Sequence, residues 1–282
     1  MNKKVLIDPI TKKQIDIFLA SNFPCLALIG PNGSGKTTIA EEIVAKTLDP
    51  EFNKSGSSVI SIDAKFVGID DVRILQKNLS LSTYGKNAFR RAVIINNFDS
   101  FGHEAQNSLL KTLEEPPTDT LIIITINNEA GVLQTIYSRV KKVAVRPISL
   151  KQAINELEFP EPEVTKAHIL SMGQAGLLVS LLGDKTDHPL IKAIEYAKDL
   201  LKKPKYIQIA EVDKIIKNKD IELEVFLGGI FRILNASYGV SVAKNSNIKI
   251  AHTRLLAVIE CKKDIGQGLS KKLALTRLFL KI

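Results

Sequence analysis

Nine consecutive residues, Gly30, Pro31, Asn32, Gly33, Ser34, Gly35, Lys36, Thr37 and Thr38, fit the pattern G-x-x-x-x-G-K-[ST]. Each residue type in it has a use in holding a polyphosphate. The glycines let the backbone curl so that several N–H groups and a helix N-terminus converge on phosphate oxygens. Lys36 adds a point charge for the β and γ phosphates, and the Thr37 hydroxyl reaches Mg²⁺. A nucleotide, ATP or ADP, is therefore the first ligand to consider. A glycine-rich turn before an ordinary helix accounts for the glycines but not for the Lys-Thr pair that ends them.

The loop needs a strand before it and a helix after it. Cys25 to Ile29 is a short apolar run of strand length, and Thr38 to Thr47 places Ile39, Ile43 and Val44 on one helical face. Four more strand candidates follow, Val59 to Ile62, Ala92 to Ile95, Leu121 to Ile126 and Val143 to Val145, alternating with helical stretches. That order predicts an α/β fold with a parallel sheet wrapped by helices over residues 1–149. Arg146-Pro147-Ile148-Ser149 breaks the alternation. Beyond it, helical periods over Leu150 to Leu157, Val164 to Ser171 and Gln174 to Leu182 predict a small helical unit over 150–184. Five more, Ile191 to Leu201, Tyr206 to Ile216, Leu223 to Leu234, Arg254 to Cys261 and Lys271 to Leu280, predict a helical bundle over 185–282.

Composition narrows the class. The chain is 45% hydrophobic and 24% charged, as soluble globular proteins are. No uninterrupted apolar run reaches the roughly 18 residues of a membrane span, and Met1-Asn2-Lys3-Lys4-Val5-Leu6-Ile7-Asp8 lacks a signal-peptide apolar region. A cytoplasmic protein without a membrane partner is expected. Two cysteines, Cys25 and Cys261, exclude a disulfide framework and a cysteine-based zinc site, and the four histidines lack ligand spacing. Residues 185–282 hold 19 Lys and Arg against 10 Asp and Glu, so this third carries the net charge of +9. The excess favours a polyanion as a partner without identifying one, and a solvated lysine-rich surface accounts for it equally.

Further motifs discriminate among the many proteins that carry such a loop. The strand Ala92 to Ile95 runs through Asn96, Asn97, Phe98 and Asp99 into Glu104-Ala105-Gln106-Asn107-Ser108-Leu109-Leu110-Lys111-Thr112-Leu113-Glu114-Glu115-Pro116-Pro117. This run closely resembles A-x-N-A-L-L-K-T-L-E-E-P-P, a signature of clamp-loader subunits, the AAA+ proteins that place ring-shaped sliding clamps on primed DNA. Thr135-Ile136-Tyr137-Ser138-Arg139-Val140 resembles their T-I-x-S-R-C motif with Val140 in the cysteine's place, and Ile69-Asp70-Asp71-Val72-Arg73 resembles their I-D-x-[IV]-R helix start. The order and spacing hold over residues 25–146, and the nearest type is the delta-prime subunit of bacterial DNA polymerase III. The resemblance implies an AAA+ domain (1–149), a helical lid (150–184) and a helical collar (185–282). It further implies other AAA+ subunits, a sliding clamp and primer–template DNA as partners.

The resemblance also assigns roles. Arg139 would be an arginine finger acting in trans on a neighbour's ATP, Asn127 a polar sensor of the γ-phosphate, and Arg73 with Lys77 backbone contacts to DNA. Their bland readings are a surface arginine and a solvated helix face. Departures from the family pattern bear on mechanism. Asn96 and Asn97 stand where its ATPases have Asp-Glu, and an amide neither holds hydrated Mg²⁺ by charge nor takes a proton from water. Hydrolysis is expected to be weak or absent, with Mg²⁺ weakly held and Asp99 a poor substitute three residues on. Gly176 stands where the lid's sensor arginine belongs, and Asp49 to Ser58 contains no cysteine for the family's zinc module. The rivals are an active gamma-like ATPase of the same architecture, a DNA-binding scaffold with a merely structural loop, and an ABC-type ATPase. The last lacks its Leu-Ser-Gly-Gly signature here.

Overall fold

The computed structural model describes residues 5–48, 59–80, 89–183 and 188–282. The first four residues, the cysteine-free segment 49–58 and the boundary at 184–185 lie outside them.

A helix absent from the sequence reading comes first. The Asp8 carboxylate accepts hydrogen bonds from the amides of Ile10 (3.0 Å) and Thr11 (3.1 Å), and Pro9 occupies the first helical position, where no N–H is needed. This is α1, Pro9–Ala20. There follow β1 (Cys25–Ile29), α2 (Lys36–Thr47), β2 (Val59–Asp63), α3 (Ile69–Ser80), β3 (Arg91–Asn96), α4 (His103–Glu114), β4 (Thr120–Ile126), the short α5 (Gln134–Tyr137) and β5 (Lys141–Ala144).

The five strands form one sheet in the order β2-β3-β4-β1-β5, and every pairing is parallel. Parallel neighbours require crossover connections, and the helices that make them cover both faces. The strand residues alternate accordingly. Cys25, Ala27, Val93, Ile95, Ile122 and Ile124 pack with Val72 and Leu75 of α3 and Leu109 of α4. Leu26, Leu28, Ile94 and Ile123 pack with Phe18 of α1 and Ile39 and Ile43 of α2. Because every strand runs in the same direction, all C-terminal strand ends lie at one edge, where ligands of such sheets sit.

The chain divides into two packed units, residues 1–149 with Gln174–Gly176, and residues 150–173 with 177–282. The second unit contains α6 (Leu150–Glu156), α7 (Glu161–Ser171), α8 (Ala175–Leu182, from Leu177 on), α9 (Pro189–Leu201), α10 (Lys205–Ala210), α11 (Val212–Lys217), α12 (Leu223–Ala243), α13 (Ile248–Gly266) and α14 (Lys271–Lys281). Several helices differ from their sequence reading, and α13 spans Ile248–Gly266 where Arg254 to Cys261 was expected. The period over Tyr206 to Ile216 is two short helices meeting at Glu211, and α12 runs on past Leu234 to Ala243.

α12 is the one helix among the described residues long and apolar enough to cross a membrane by length and mean hydropathy, although Glu224, Arg232 and Asn235 interrupt its apolar run. Its interior is protein. Phe226, Leu227 and Ile230 sit in the core with Leu275 and Phe279 of α14. Gly229 lets α12 approach α9 so closely that a Cβ would lie 2.9 Å from the Ala193 carbonyl oxygen. Arg232 is buried on the same helix and donates to the carbonyls of Leu170 (3.3 Å) and Ser171 (3.1 Å) at the end of α7. A helix C-terminus is the partly negative end, so the guanidinium is compensated there, although burial still pushes it down to about 10.

Candidate nucleotide site

β1 ends at Ile29, and the loop turns back over it. Gly33 (φ 88°) and Gly35 (φ 91°) lie in the left-handed region, where a side chain is strained, and this brings the amides of the turn to the N-terminus of α2. Gly30 abuts β5: a Cβ there would meet the Val145 carbonyl oxygen at 3.0 Å. Pro31, Asn32, Thr37 and Thr38 are exposed and Ser34 is buried.

Lys36 folds into the loop that it serves. Its ammonium donates to the carbonyls of Gly30 (2.6 Å) and Pro31 (2.9 Å) and to Ser34 Oγ (3.4 Å). Those three acceptors use its three donors and fix its position. Burial pushes Lys36 down to about 8, against the opposing field of Asp99. A polyphosphate entering the cradle restores the lost stabilisation of the charge.

The strand ends opposite the loop carry the two asparagines. Thr37 Oγ1 donates to Asn96 Oδ1 at 2.8 Å, so a hydroxyl and a neutral amide face each other where a metal-binding pair would place a carboxylate. Asn97, in the left-handed region at φ 52°, donates through Nδ2 to both carboxylate oxygens of Asp63 (2.9 and 2.8 Å) and accepts from Asn127 Nδ2 (2.8 Å). Asp99 accepts from the amides of Asn127 (2.9 Å) and Asn128 (3.1 Å), which ties its carboxylate to the turn after β4. Asn128 turns outward to cap Ala130, leaving Asn127 as the residue that joins the network.

This donor set fits a nucleotide well and Mg²⁺ poorly. The loop supplies amides, a hydroxyl and an ammonium. The two carboxylates nearby, Asp63 and Asp99, are held by amide donors. Asp63 is the residue that sequence reasoning missed: it belongs to no motif, and only the β2–β3 register, with Asp63 opposite Asn96, brings it to the site.

Gly176 packs on the loop. A Cβ on it would lie 2.9 Å from both the Gly33 carbonyl oxygen and the Gly35 nitrogen. The position expected for a sensor arginine thus has no room for any side chain in this arrangement. Gly176→Ala is expected to cost about 1–3 kcal/mol, the usual range for overpacking. Thermal melting checks it, and an unchanged melt would mean that the segment retreats freely.

Arg139 follows α5 and lies against the end of α4. Nη1 donates to the Thr135 carbonyl (2.8 Å) and Ser138 Oγ (3.1 Å), and Nη2 donates to Glu114 Oε1 (2.9 Å). Arg73 and Lys77 are both exposed on α3, and Arg73 pairs with Asp70 at 3.1 Å. Among the described residues no cluster of His, Cys, Asp and Glu is suited to a metal ion.

Residues 23–149 match the family model described as DNA polymerase III, delta subunit. Replication factor C subunit 3 of Arabidopsis thaliana is 24% identical over 225 residues, covering 69% of this chain and 62% of that protein. Replication factor C small subunit 2 of Pyrobaculum islandicum is 25% identical over 154 residues, covering 54% and 47%. This chain therefore spans less than two thirds of the length of either relative. A DNA polymerase III gamma subunit-related protein of Thermotoga maritima overlays with a TM-score of 0.48 at 19% identity, covering 95% of this chain and 97% of that one. Over residues 23–149, which hold the parallel sheet, the phosphate loop on β1 and the signature run on α4, this chain is thus similar to the family described as DNA polymerase III, delta subunit.

Proposed function

We propose that the chain is a delta-prime-like, non-motor subunit of a clamp loader. It binds ATP or ADP through Gly30 to Thr38, hydrolyses it weakly or not at all, and offers Arg139 to the ATP of a neighbouring subunit. Any accompanying Mg²⁺ is held weakly, by the phosphates and Thr37. Residues 150–184 act as lid and 185–282 as the collar of a hetero-oligomer that places a sliding clamp on primer–template DNA, with Arg73 and Lys77 tracking phosphates irrespective of sequence. The compartment is cytoplasmic, and zinc has no part. One observation carries this reading: a complete phosphate cradle faces a pair of amides locked by Asp63, Thr37 and Asn127. The same observation weighs against a gamma-like motor, and the buried, tethered Lys36 weighs against a loop with no ligand.

Calorimetry tests the binding step. ATP and ADP are expected to bind the isolated chain, and Lys36→Ala to abolish most of the affinity. Absence of binding by the wild type at millimolar nucleotide would overturn the reading. The pH dependence has a definite sign. Phosphate stabilises the ammonium, so the complex takes up a proton once Lys36 is neutral in the free protein. Affinity is therefore flat below about pH 8 and falls above it. The stability of the free chain moves the opposite way. Between about 8 and the ordinary value of 10.5 the unfolded chain binds more protons at Lys36 than the folded one, so this residue adds stability as pH rises.

A further inference from the structure

Glu114, within the run Glu104 to Pro117, and Arg139, within the run Thr135 to Val140, are joined by an ion pair of 2.9 Å. We propose that Glu114 is the positioning residue that aims Arg139 at the neighbouring subunit's nucleotide, an inference that rests on the trans reading of Arg139 above.

The placement of Glu114 has no adequate explanation in stability. It is the last residue of α4, where the helix dipole is negative and an anion is unfavourable. Its carboxylate is 57% exposed, and ion pairs in such positions contribute little to stability. The two effects oppose each other. What the pair does achieve is geometric. Glu115 caps the helix and Pro116 and Pro117 prevent its continuation, so the carboxylate sits at the end of a rigid rod. The arginine is then held by three acceptors from three residues: the Thr135 carbonyl, Ser138 Oγ and Glu114 Oε1. Without Glu114 both remaining acceptors lie on Nη1, and the guanidinium is free to pivot about that end.

The arrangement is also incomplete within this chain. Three of the five N–H donors of Arg139 are used, one on Nη2 is left over, and Nε is buried without a partner. An orphaned buried donor costs free energy, and a guanidinium with donors to spare keeps hydrogen-bonding capacity for a further acceptor. A phosphoryl oxygen, which accepts charge-assisted bonds from a planar fork, is the matching chemistry.

The test uses the clamp-loader complex reconstituted with Glu114→Ala, Glu114→Gln, Arg139→Ala and the double variant Glu114→Ala/Arg139→Ala, with assembly checked by gel filtration. Glu114→Ala is expected to lower the kcat of DNA-stimulated ATP hydrolysis by up to about 10²-fold, the effect of a misplaced catalytic group. KM and the nucleotide affinity of this chain should not change. Glu114→Gln, which keeps the acceptor and loses the charge, should fall between, and it serves as the arm if the alanine variant fails to assemble. The double variant should match Arg139→Ala alone. An unaltered or faster rate for both Glu114 variants, with a loss for Arg139→Ala, overturns the inference and leaves the trans role standing. Additive losses in the double variant also overturn it. No loss for Arg139→Ala overturns the trans role itself.

Discussion

Replacing Arg139 by alanine in the reconstituted complex is expected to cut its ATP turnover by about 10³–10⁵-fold while the complex still assembles and this chain still binds nucleotide. The size follows from the chemistry. In phosphoryl transfer negative charge spreads over the equatorial oxygens, and a planar cation placed there without reorganisation supplies much of the stabilisation. The location follows from the fold, since Arg139 lies between α5 and the start of β5, whereas the chain's own loop follows the far end of β1, which runs parallel to β5. Arg139→Lys should also lose most of the rate, because it keeps a charge and loses the fork. The decisive observation is the pairing of normal assembly with lost hydrolysis. Full activity in an intact complex would return Arg139 to the class of surface arginines.

The isolated chain is expected to show no measurable turnover. The lack of a general base alone is worth roughly 10²–10⁴-fold, and the neutral Asn96 adds the loss of metal-binding charge. The contacts of Asn97 sharpen the expectation. Its Nδ2 donates to both oxygens of Asp63, so Asn97→Glu sets one carboxylate against another. Asn96→Asp/Asn97→Glu should therefore melt at lower temperature than the wild type and still turn over poorly, with Asp63→Asn in that background recovering the melt. A steady-state rate of about 1 s⁻¹ or more for the wild type, abolished by Lys36→Ala, would show that another residue does the work.

Much of the site was legible because its parts are local. The phosphate loop is nine consecutive residues, and the strands that flank it read from apolar runs of the right length. The loss of Asp-Glu is visible as Asn96-Asn97 without any coordinates. What stayed hidden depends on the order of strands or on contacts between distant segments. Asp63 acquires meaning only because β2 lies beside β3, and Glu114 only because α5 packs on α4. Asp99 looked like a stray acid after a strand and is in fact the acceptor that closes the turn at Asn127 and Asn128. Two misreadings have other causes. The Asp8-Pro9 start of α1 follows ordinary capping rules and was legible, whereas α12 outran its expected end at Leu234 because packing against α9 and α13 overrides the weak stop signals at Asn235 and Gly239.

The contact of Gly176 with the phosphate loop bears on history as well as on chemistry. A subunit that lost only its acidic pair could regain motor activity by reversing two substitutions. Here a third position has closed behind them, because the backbones of Gly176 and of Gly33 to Gly35 now fill the space that an arginine side chain would need. Asn96→Asp with Asn97→Glu would restore two acidic side chains, yet an arginine at position 176 still finds no room unless the Gln174–Gly176 segment moves off the loop.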